Sequence, residues 1–277
     1  MRSKPVIQMK NLTIGFIGTG KMGEALIRGM INAGLVKPDR ICASDIDEQK
    51  LDTMAEELGI VVSCDNMHTL EKADVVVLAV KPQIIRYVLQ GIKESIIKEH
   101  LFISIAAGVN IDSLADELPG GTRIVRVMPN ICATVGEAAS AICPGDAATE
   151  ADVETARKIL GAVGRTVVVD EHLMDAVTGL SGSGPAFVFM IIEALADGGV
   201  HQGLDRTTAQ TLAAQTVLGA AKMILESGQH PGELKDMVTS PGGTTIRGIE
   251  ALEKRKVRGA VMSAVIAASE RSRELGK

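Results

Sequence analysis

Apolar positions along the chain follow two regimes. Up to Asp170 short apolar runs alternate with amphipathic stretches, and beyond it the apolar stretches are long and helical. Leu12, Ile14, Phe16 and Ile17 form a first short strand, and Ala25, Leu26, Met30 and Ile31 mark a helix over residues 21–33 that Gly34 ends. Further strands are predicted over residues 40–45, 60–62, 73–80, 101–105 and 123–128, with helices over residues 47–58, closed by Gly59, and over residues 84–98. The β-branched run over residues 73–80 suits a strand buried on both faces, and Pro82 and Pro129 each end a strand. Residues 138–143 and 166–169 read as two edge strands around a helix over residues 150–163. Strand–helix alternation of this kind is an α/β, doubly wound, parallel sheet.

After Asp170 the strand pattern stops. Residues 173–180, 186–200, 207–225 and 257–275 read as helices rich in Ala, Gly, Leu and Met. Ala213, Ala214, Gly219, Ala220 and Ala221 leave little side chain to hold a neighbouring helix away. Helices this apolar need burial nearly all round, and one small helical domain has too little interior for that. The expected remedy is a second copy of the chain, in a homodimer. The division expected is a dinucleotide-binding domain over residues 1–170 and a helical dimerisation and substrate-binding domain over residues 171–277.

The junction of the first strand and helix carries the chemistry. Gly18, Gly20 and Gly23 form G-x-G-x-x-G between them, the dinucleotide-binding arrangement. The first glycine allows a tight turn, the second admits a pyrophosphate to the backbone, and the third lets helix and strand pack closely. The helix start adds free N–H groups and a partial positive charge. Asp45 ends the second strand, near the place where an acid holds the adenosine ribose hydroxyls. The plainer role for Asp45 or Asp47 is to cap the next helix. A carboxylate there repels a 2′-phosphate, which favours NADH over NADPH. Lys81, at a strand's carboxyl end, suits cofactor phosphate or ribose as well as it suits a solvated loop. Ala106, Ala107 and Gly108 admit a nicotinamide or simply a close-packed helix.

Composition excludes more than it selects. Net charge is −5, so no basic footprint for nucleic acid or anionic membrane exists. Aromatics make up 2% of the chain, leaving Ala, Val, Ile, Leu and Met to build the core. Cys42, Cys64, Cys132 and Cys143 show no CxxC spacing, and a reduced, cytoplasmic protein is expected, with no metal site. Residues 1–10 lack the apolar segment of a signal peptide and are expected to be a loosely attached extension. No apolar run was expected to reach the ~20 residues of a membrane span.

Two segments of the helical half stand apart. Gly179-Leu-Ser-Gly-Ser-Gly-Pro185 reads as a helix break, with Pro185 in a first turn. Ser240-Pro-Gly-Gly-Thr-Thr245 precedes a short helix over residues 245–252. Its glycines free the backbone to turn N–H groups outward, an anion site suited to a small carboxylate, with the Thr244 and Thr245 hydroxyls beside it. A plain loop with Thr as N-cap is the competing reading.

These segments, with Gly15-Phe-Ile-Gly-Thr-Gly-Lys-Met22, Leu78-Ala-Val-Lys-Pro82 and Ala106-Ala-Gly-Val109, carry a resemblance. From Leu12 to its carboxyl end the chain closely resembles pyrroline-5-carboxylate reductase, the last enzyme of proline biosynthesis. The resemblance implies a Rossmann-type domain followed by an all-α dimerisation domain, in dimers that often assemble into decamers. It implies reduction of L-1-pyrroline-5-carboxylate to L-proline by hydride transfer from NAD(P)H. It places the nucleotide against Ile17, Gly18, Thr19, Gly20, Lys21, Met22, Asp45, Asn66, Ala79, Val80, Lys81, Pro82, Ile105, Ala106 and Ala107. The substrate carboxylate would meet N–H groups of Gly243, Thr244 and Thr245, with Glu171 nearby, and Thr245 matches the threonine whose hydroxyl approaches the ring nitrogen. Relatives that prefer NADPH often carry Ser, Thr or a basic residue where this chain has Asp45, which again favours NADH.

Two rivals share parts of this pattern. A β-hydroxyacid dehydrogenase needs a lysine on the helix after its glycine-rich segment, and no Lys occurs between Gly179 and Ala221. A nucleotide-sensing protein keeps the Gly18–Gly23 loop but has no use for the carboxylate site at Ser240–Thr245. His68, His100, His172, His201 and His230 are scattered and read as solvated or structural.

Overall fold

In the computed structural model, residues 9–276 are described, and residues 1–8 of the expected extension lie outside them. Met9 is buried, in a short 3-10 turn over Met9–Asn11. The chain divides into two compact units, one running to Gly182 and including the chain from Ala268 onward, the other Ser183–Ala267.

Among the described residues of the first unit, eight strands form one sheet. They are β1 (Ile14–Ile17), β2 (Ile41–Ser44), β3 (Val61–Ser63), β4 (Val75–Leu78), β5 (Leu101–Ser104), β6 (Arg123–Met128), β7 (Ala138–Pro144) and β8 (Gly164–Val168). Their order is β3-β2-β1-β4-β5-β6-β7-β8. Helices α1 (Lys21–Asn32), α2 (Glu48–Leu58), α3 (Asn66–Lys72), α4 (Pro82–Ile92), α5 (Ile111–Glu117) and α6 (Glu150–Gly161) connect them. Successive residues of one strand enter opposite cores. Val75, Val77 and Ile103 pack with Leu26, Met30 and Ile159, whereas Val76, Leu78 and Phe102 pack with Ile85, Val88 and Leu89. Burial on both faces is why these strands read as unbroken apolar runs.

The sheet is parallel except between β6 and β7, which pair antiparallel. The link from Pro129 to Glu137 is too short for the crossover a parallel pair requires. Residues 138–143 were expected at an edge; instead β7 lies between β6 and β8, and only β8 is the edge on that side. Three helices had no expectation in the sequence: α3, α5 and α10 (Pro231–Met237). Each is too short to show a periodic stripe and is set by a capping side chain, Asp65, Asn110 or His230.

The expected helix over residues 173–180 is broken into a 3-10 turn at Glu171–Leu173, α7 (Met174–Val177) and a π turn at Thr178–Gly182. The Thr178 and Ser181 hydroxyls donate back to the carbonyls of Met174 and Val177 there. The boundary expected after Asp170 differs from the division after Gly182. Met174 is buried with Ala141 and Cys143, and Asp175 accepts a hydrogen bond from Ser272 (2.7 Å), so this segment belongs with the sheet.

The second unit holds α8 (Gly184–His201), α9 (Arg206–Ser227), α10, α11 (Thr244–Lys254) and the first part of α12 (Val257–Leu275). Pro185 stands in the first turn of α8, as expected. Its small core is Ala196, Ala209 and Ala213, while Phe189 (60%), Met190 (67%) and Met262 (64%) lie open in the single chain. The stretch Glu171–His201 does reach the length and mean hydropathy (1.4) of a membrane span, contrary to the expectation, with 11% of that window buried.

Packing of α1 against the α6–β8 turn supplies a stability test. A Cβ on Gly29 would stand 2.2 Å from a Val163 methyl, whereas one on Gly91 meets nothing within 4 Å. Gly29→Ala is expected to destabilise by about 1–3 kcal/mol through overpacking. Gly91→Ala, in exposed helix, is expected to stabilise by about 0.5–1 kcal/mol. Denaturant unfolding of both variants checks the opposite signs.

Candidate functional site

Three β-to-α loops of the first unit are laced together where the strand order reverses. Gly18 N–H donates to the Ser44 carbonyl (2.8 Å), Ala79 N–H to Ile17 (2.8 Å) and Ile105 N–H to Leu78 (3.1 Å). With β2 on one side of β1 and β4 on the other, the crevice at these carboxyl ends is where open α/β sheets bind ligands. Gly18 has φ +96°, and a Cβ on Gly23 would stand 2.6 Å from the Gly18 carbonyl oxygen. Gly20 faces open space, and α1 begins there with no side-chain cap. The N–H groups of Gly20, Lys21 and Met22 meet no acceptor among the described residues. This cradle fits the pyrophosphate of a dinucleotide, because an anion supplies the missing acceptors.

Asp45 faces this loop. Its Oδ2 accepts from the Thr19 N–H (2.6 Å) and the Thr19 hydroxyl (2.8 Å), and its Oδ1 accepts from the Asp47 N–H (3.2 Å). Burial raises its pKa, but the donors from Thr19, Asp47 and Ile46 outweigh that and hold the carboxyl below its ordinary value. Capping of α2 falls to Asp47, whose side chain accepts from Lys50 N–H. The two acids therefore have separate tasks.

Sequence reasoning missed two residues here. Ser44, buried at the end of β2, donates to Asn66 Oδ1 (2.7 Å) and so holds an expected nucleotide residue. Lys50 of α2 donates through Nζ to the Thr19 carbonyl oxygen and pairs with Glu24 of α1 (3.1 Å). Neither had a signal, since Ser44 reads as strand and Lys50 as a solvated helix position. Lys81 is exposed at the N-cap of α4, with Pro82 in its first turn. Ala106 is buried and Ala107 exposed after β5.

Glu171 also lies in the first unit. Its Oε1 accepts from the Ile111 N–H (2.7 Å) and pairs with Arg126 (3.0 Å), whose side chain is nearly buried within β6. The thiol of Cys143 is pushed up to about 11 by burial and by the charge of Glu171, so it stays protonated. His100 is buried edge-on to Phe102, and its Nδ1 accepts from Ile97 N–H, a structural role.

In the second unit the Ser240–Thr245 loop leads into α11. Gly242 takes φ +68°, and Gly243 N–H donates to the Ser240 carbonyl (3.1 Å), closing a turn. One of the three expected donors is therefore spent within the loop. Gly243, not a threonine, is the N-cap, and no side chain caps the helix. The N–H groups of Thr244 and Thr245 and the Thr245 hydroxyl make no hydrogen bond to another described residue. Two donors and a hydroxyl at a helix start are what a small carboxylate with an adjacent N–H group requires.

Comparison with known proteins covers both units. The profile of the family described as pyrroline-5-carboxylate reductase dimerisation matches residues 171–275, and that described as NADP oxidoreductase coenzyme F420-dependent matches residues 13–108. A pyrroline-5-carboxylate reductase of Methanosarcina acetivorans is 61% identical over 269 residues, 97% of this chain and 100% of the relative. A solved pyrroline-5-carboxylate reductase from Coxiella burnetii superposes with a TM-score of 0.92 at 39% identity, covering 96% of this chain and 99% of that one. A Plasmodium falciparum pyrroline carboxylate reductase, solved with NADP bound, gives 0.86 at 35% identity, covering 97% and 100%.

The depressed Asp45 pKa sets a pH test. Folding favours the ionised form, so this stabilisation is complete above the unfolded-state value near 3.9 and is lost as pH falls through the folded one. The gap in unfolding free energy between wild type and Asp45→Asn is expected to hold level down to about pH 5 and to close below about pH 4, in urea titrations.

Proposed function

The chain belongs to the pyrroline-5-carboxylate reductase family, and we propose how its two units divide the work of that reaction. It is an oxidoreductase of proline biosynthesis that reduces L-1-pyrroline-5-carboxylate to L-proline with NAD(P)H. The first unit holds the nucleotide, with the pyrophosphate on Gly18–Met22, the adenosine ribose at Asp45 and Asn66, and the rest along Ala79–Pro82 and Ile105–Ala107. When bound, the reduced nicotinamide supplies a hydride to the imine carbon. The second unit holds the substrate carboxylate on the N–H groups of Thr244 and Thr245, with Gly243 shaping the turn. The Thr245 hydroxyl orients the N–H of the protonated imine. Glu171, whose Oε1 accepts from Ile111 and pairs with Arg126, stays among the proposed substrate-binding residues.

The observation that carries this reading is the uncapped start of α11, with two N–H groups and a hydroxyl that have no partner among the described residues. A protonated imine is already electrophilic, so the protein's task is mainly to position it. That agrees with the absence of a His–carboxylate or Ser–His hydrogen-bonded pair near either loop among the described residues.

The open apolar faces of α8, α9 and α12 support a dimer, within the region matched by the dimerisation family. We read the α8 part of the membrane-length stretch, Gly184–His201, as part of that face. Four free cysteines suit a reducing compartment, here the cytoplasm.

Nicotinamide absorbance, followed with pyrroline-5-carboxylate and NADH, tests the assignment, with 3-hydroxyisobutyrate and NAD as the contrast that should stay silent. Thr245→Ala is expected to lower kcat/KM roughly ten- to a thousandfold, the effect of one well-placed transition-state hydrogen bond. Wild-type rates in that variant would remove Thr245 from the site. Asp45 is further proposed to favour NADH, so kcat/KM with NADH should exceed that with NADPH; a ratio of one or below contradicts this.

A further inference from the structure

The expected nucleotide residues include nothing from α2, yet α2 grips the glycine-rich loop. Lys50 Nζ donates to the carbonyl oxygen of Thr19, and its charge is balanced by Glu24 of α1 at 3.1 Å. Glu24 is held in turn by Arg28 (2.9 Å), which also pairs with Glu57 of α2 (2.6 Å). Thr19 is fully buried, and Asp45 takes both its N–H and its hydroxyl. The Thr19 residue is thus held by an anion on its N–H side and a cation on its carbonyl side.

The geometry of one peptide unit turns this into a function. In a trans peptide the carbonyl and the following N–H point in opposite directions. No peptide among the described residues is cis. Fixing the Thr19 carbonyl toward Lys50 therefore aims the Gly20 N–H the other way. That N–H has no acceptor among the described residues, and Gly20 faces open space. Without a Cβ, Gly20 gives the peptide little resistance to flipping, so an external restraint matters at this position.

We propose that Lys50 is a positioning residue for the nucleotide, orienting the Thr19–Gly20 peptide so that the Gly20 N–H meets the pyrophosphate. Lys50 touches the loop and leaves the ligand to it. Its effect is therefore the same for nucleotides with and without a 2′-phosphate, which separates it from a lysine that pairs with that phosphate. The inference rests on the nucleotide site proposed above.

The test is calorimetric titration of the full chain with NADH and with NADPH, in wild type, Lys50→Met, Lys50→Arg and Glu24→Gln. Lys50→Met is expected to raise Kd for both nucleotides by about tenfold, the scale of one charged hydrogen bond. Lys50→Arg is expected to recover most of that loss by regaining the carbonyl bond. Glu24→Gln, which keeps the lysine but frees its partner, is expected to give a smaller rise shared by both nucleotides. At saturating nucleotide kcat should stay within about threefold of wild type, since the reacting groups are untouched. Unchanged Kd for both nucleotides in a folded Lys50→Met protein overturns the proposal, as does a loss confined to NADPH. If Lys50→Met does not fold, equal Kd values in Glu24→Gln and wild type overturn it. Wild type binding neither nucleotide would instead sink the site itself.

Discussion

The site depends on how closely β1, β4 and the start of α1 approach one another. The backbone of Gly18 lies so near both Ala79 and Gly23 that a methyl group at either glycine would meet a carbonyl within 2.8 Å. In the proposed site, that contact leaves the phosphate the outer side of the loop, where the N–H groups of Gly20, Lys21 and Met22 have no acceptor among the described residues. Tight packing alone does not orient a loop of small residues, however. The orientation comes from charge: Asp45 on the N–H and hydroxyl of Thr19, and Lys50 on its carbonyl. Half-buried charges are worth their desolvation only when hydrogen-bonded. Asp45 and Glu24 are so bonded, to Thr19 and to Arg28 and Lys50, and against the opposite effect of burial these partners hold both carboxyls below their ordinary values.

The helical unit rests on a different constraint. Its internal core is small and made of alanines, because α8 and α9 meet through Ala196, Ala209 and Ala213. Small residues let the helices close on one another but bury little apolar area. The large side chains, among them Phe189, Met190 and Met262, point away from that core and are exposed in the single chain. Apolar surface on this scale marks an interaction face, and the matched dimerisation region of the family spans it.

Much of the fold was legible because long-range burial leaves a local trace. Strands buried on both faces had to be apolar throughout, and β1 and β4 stood out accordingly. Gly59 at the C-cap of α2, Pro82 opening α4 and Pro185 opening α8 each took the place their backbone limits dictate. The short helices α3, α5 and α10 were not legible, since a seven-residue segment has too few turns for a stripe. Placing β7 at an edge failed for a similar reason: strand order is decided by which neighbour covers a strand, and a short run of small and apolar residues does not record that.

The amino-acid sequence by itself determined the glycine-rich turn, the parallel α/β half, the apolar helical half and the Ser240–Thr245 loop. Each follows from local backbone freedom or from periodic burial, and both are written residue by residue. Only the tertiary structure decided which polar atoms remain unused. It spent the Gly243 N–H on Ser240 and left those of Thr244 and Thr245 without an acceptor among the described residues. It turned Asp45 toward Thr19, and it brought Lys50 from a neighbouring helix onto the same residue. The bonds from Thr19 to Asp45 and from Lys50 to Thr19 join positions 26 and 31 residues apart, and partners at that separation follow from how the elements pack rather than from any local pattern.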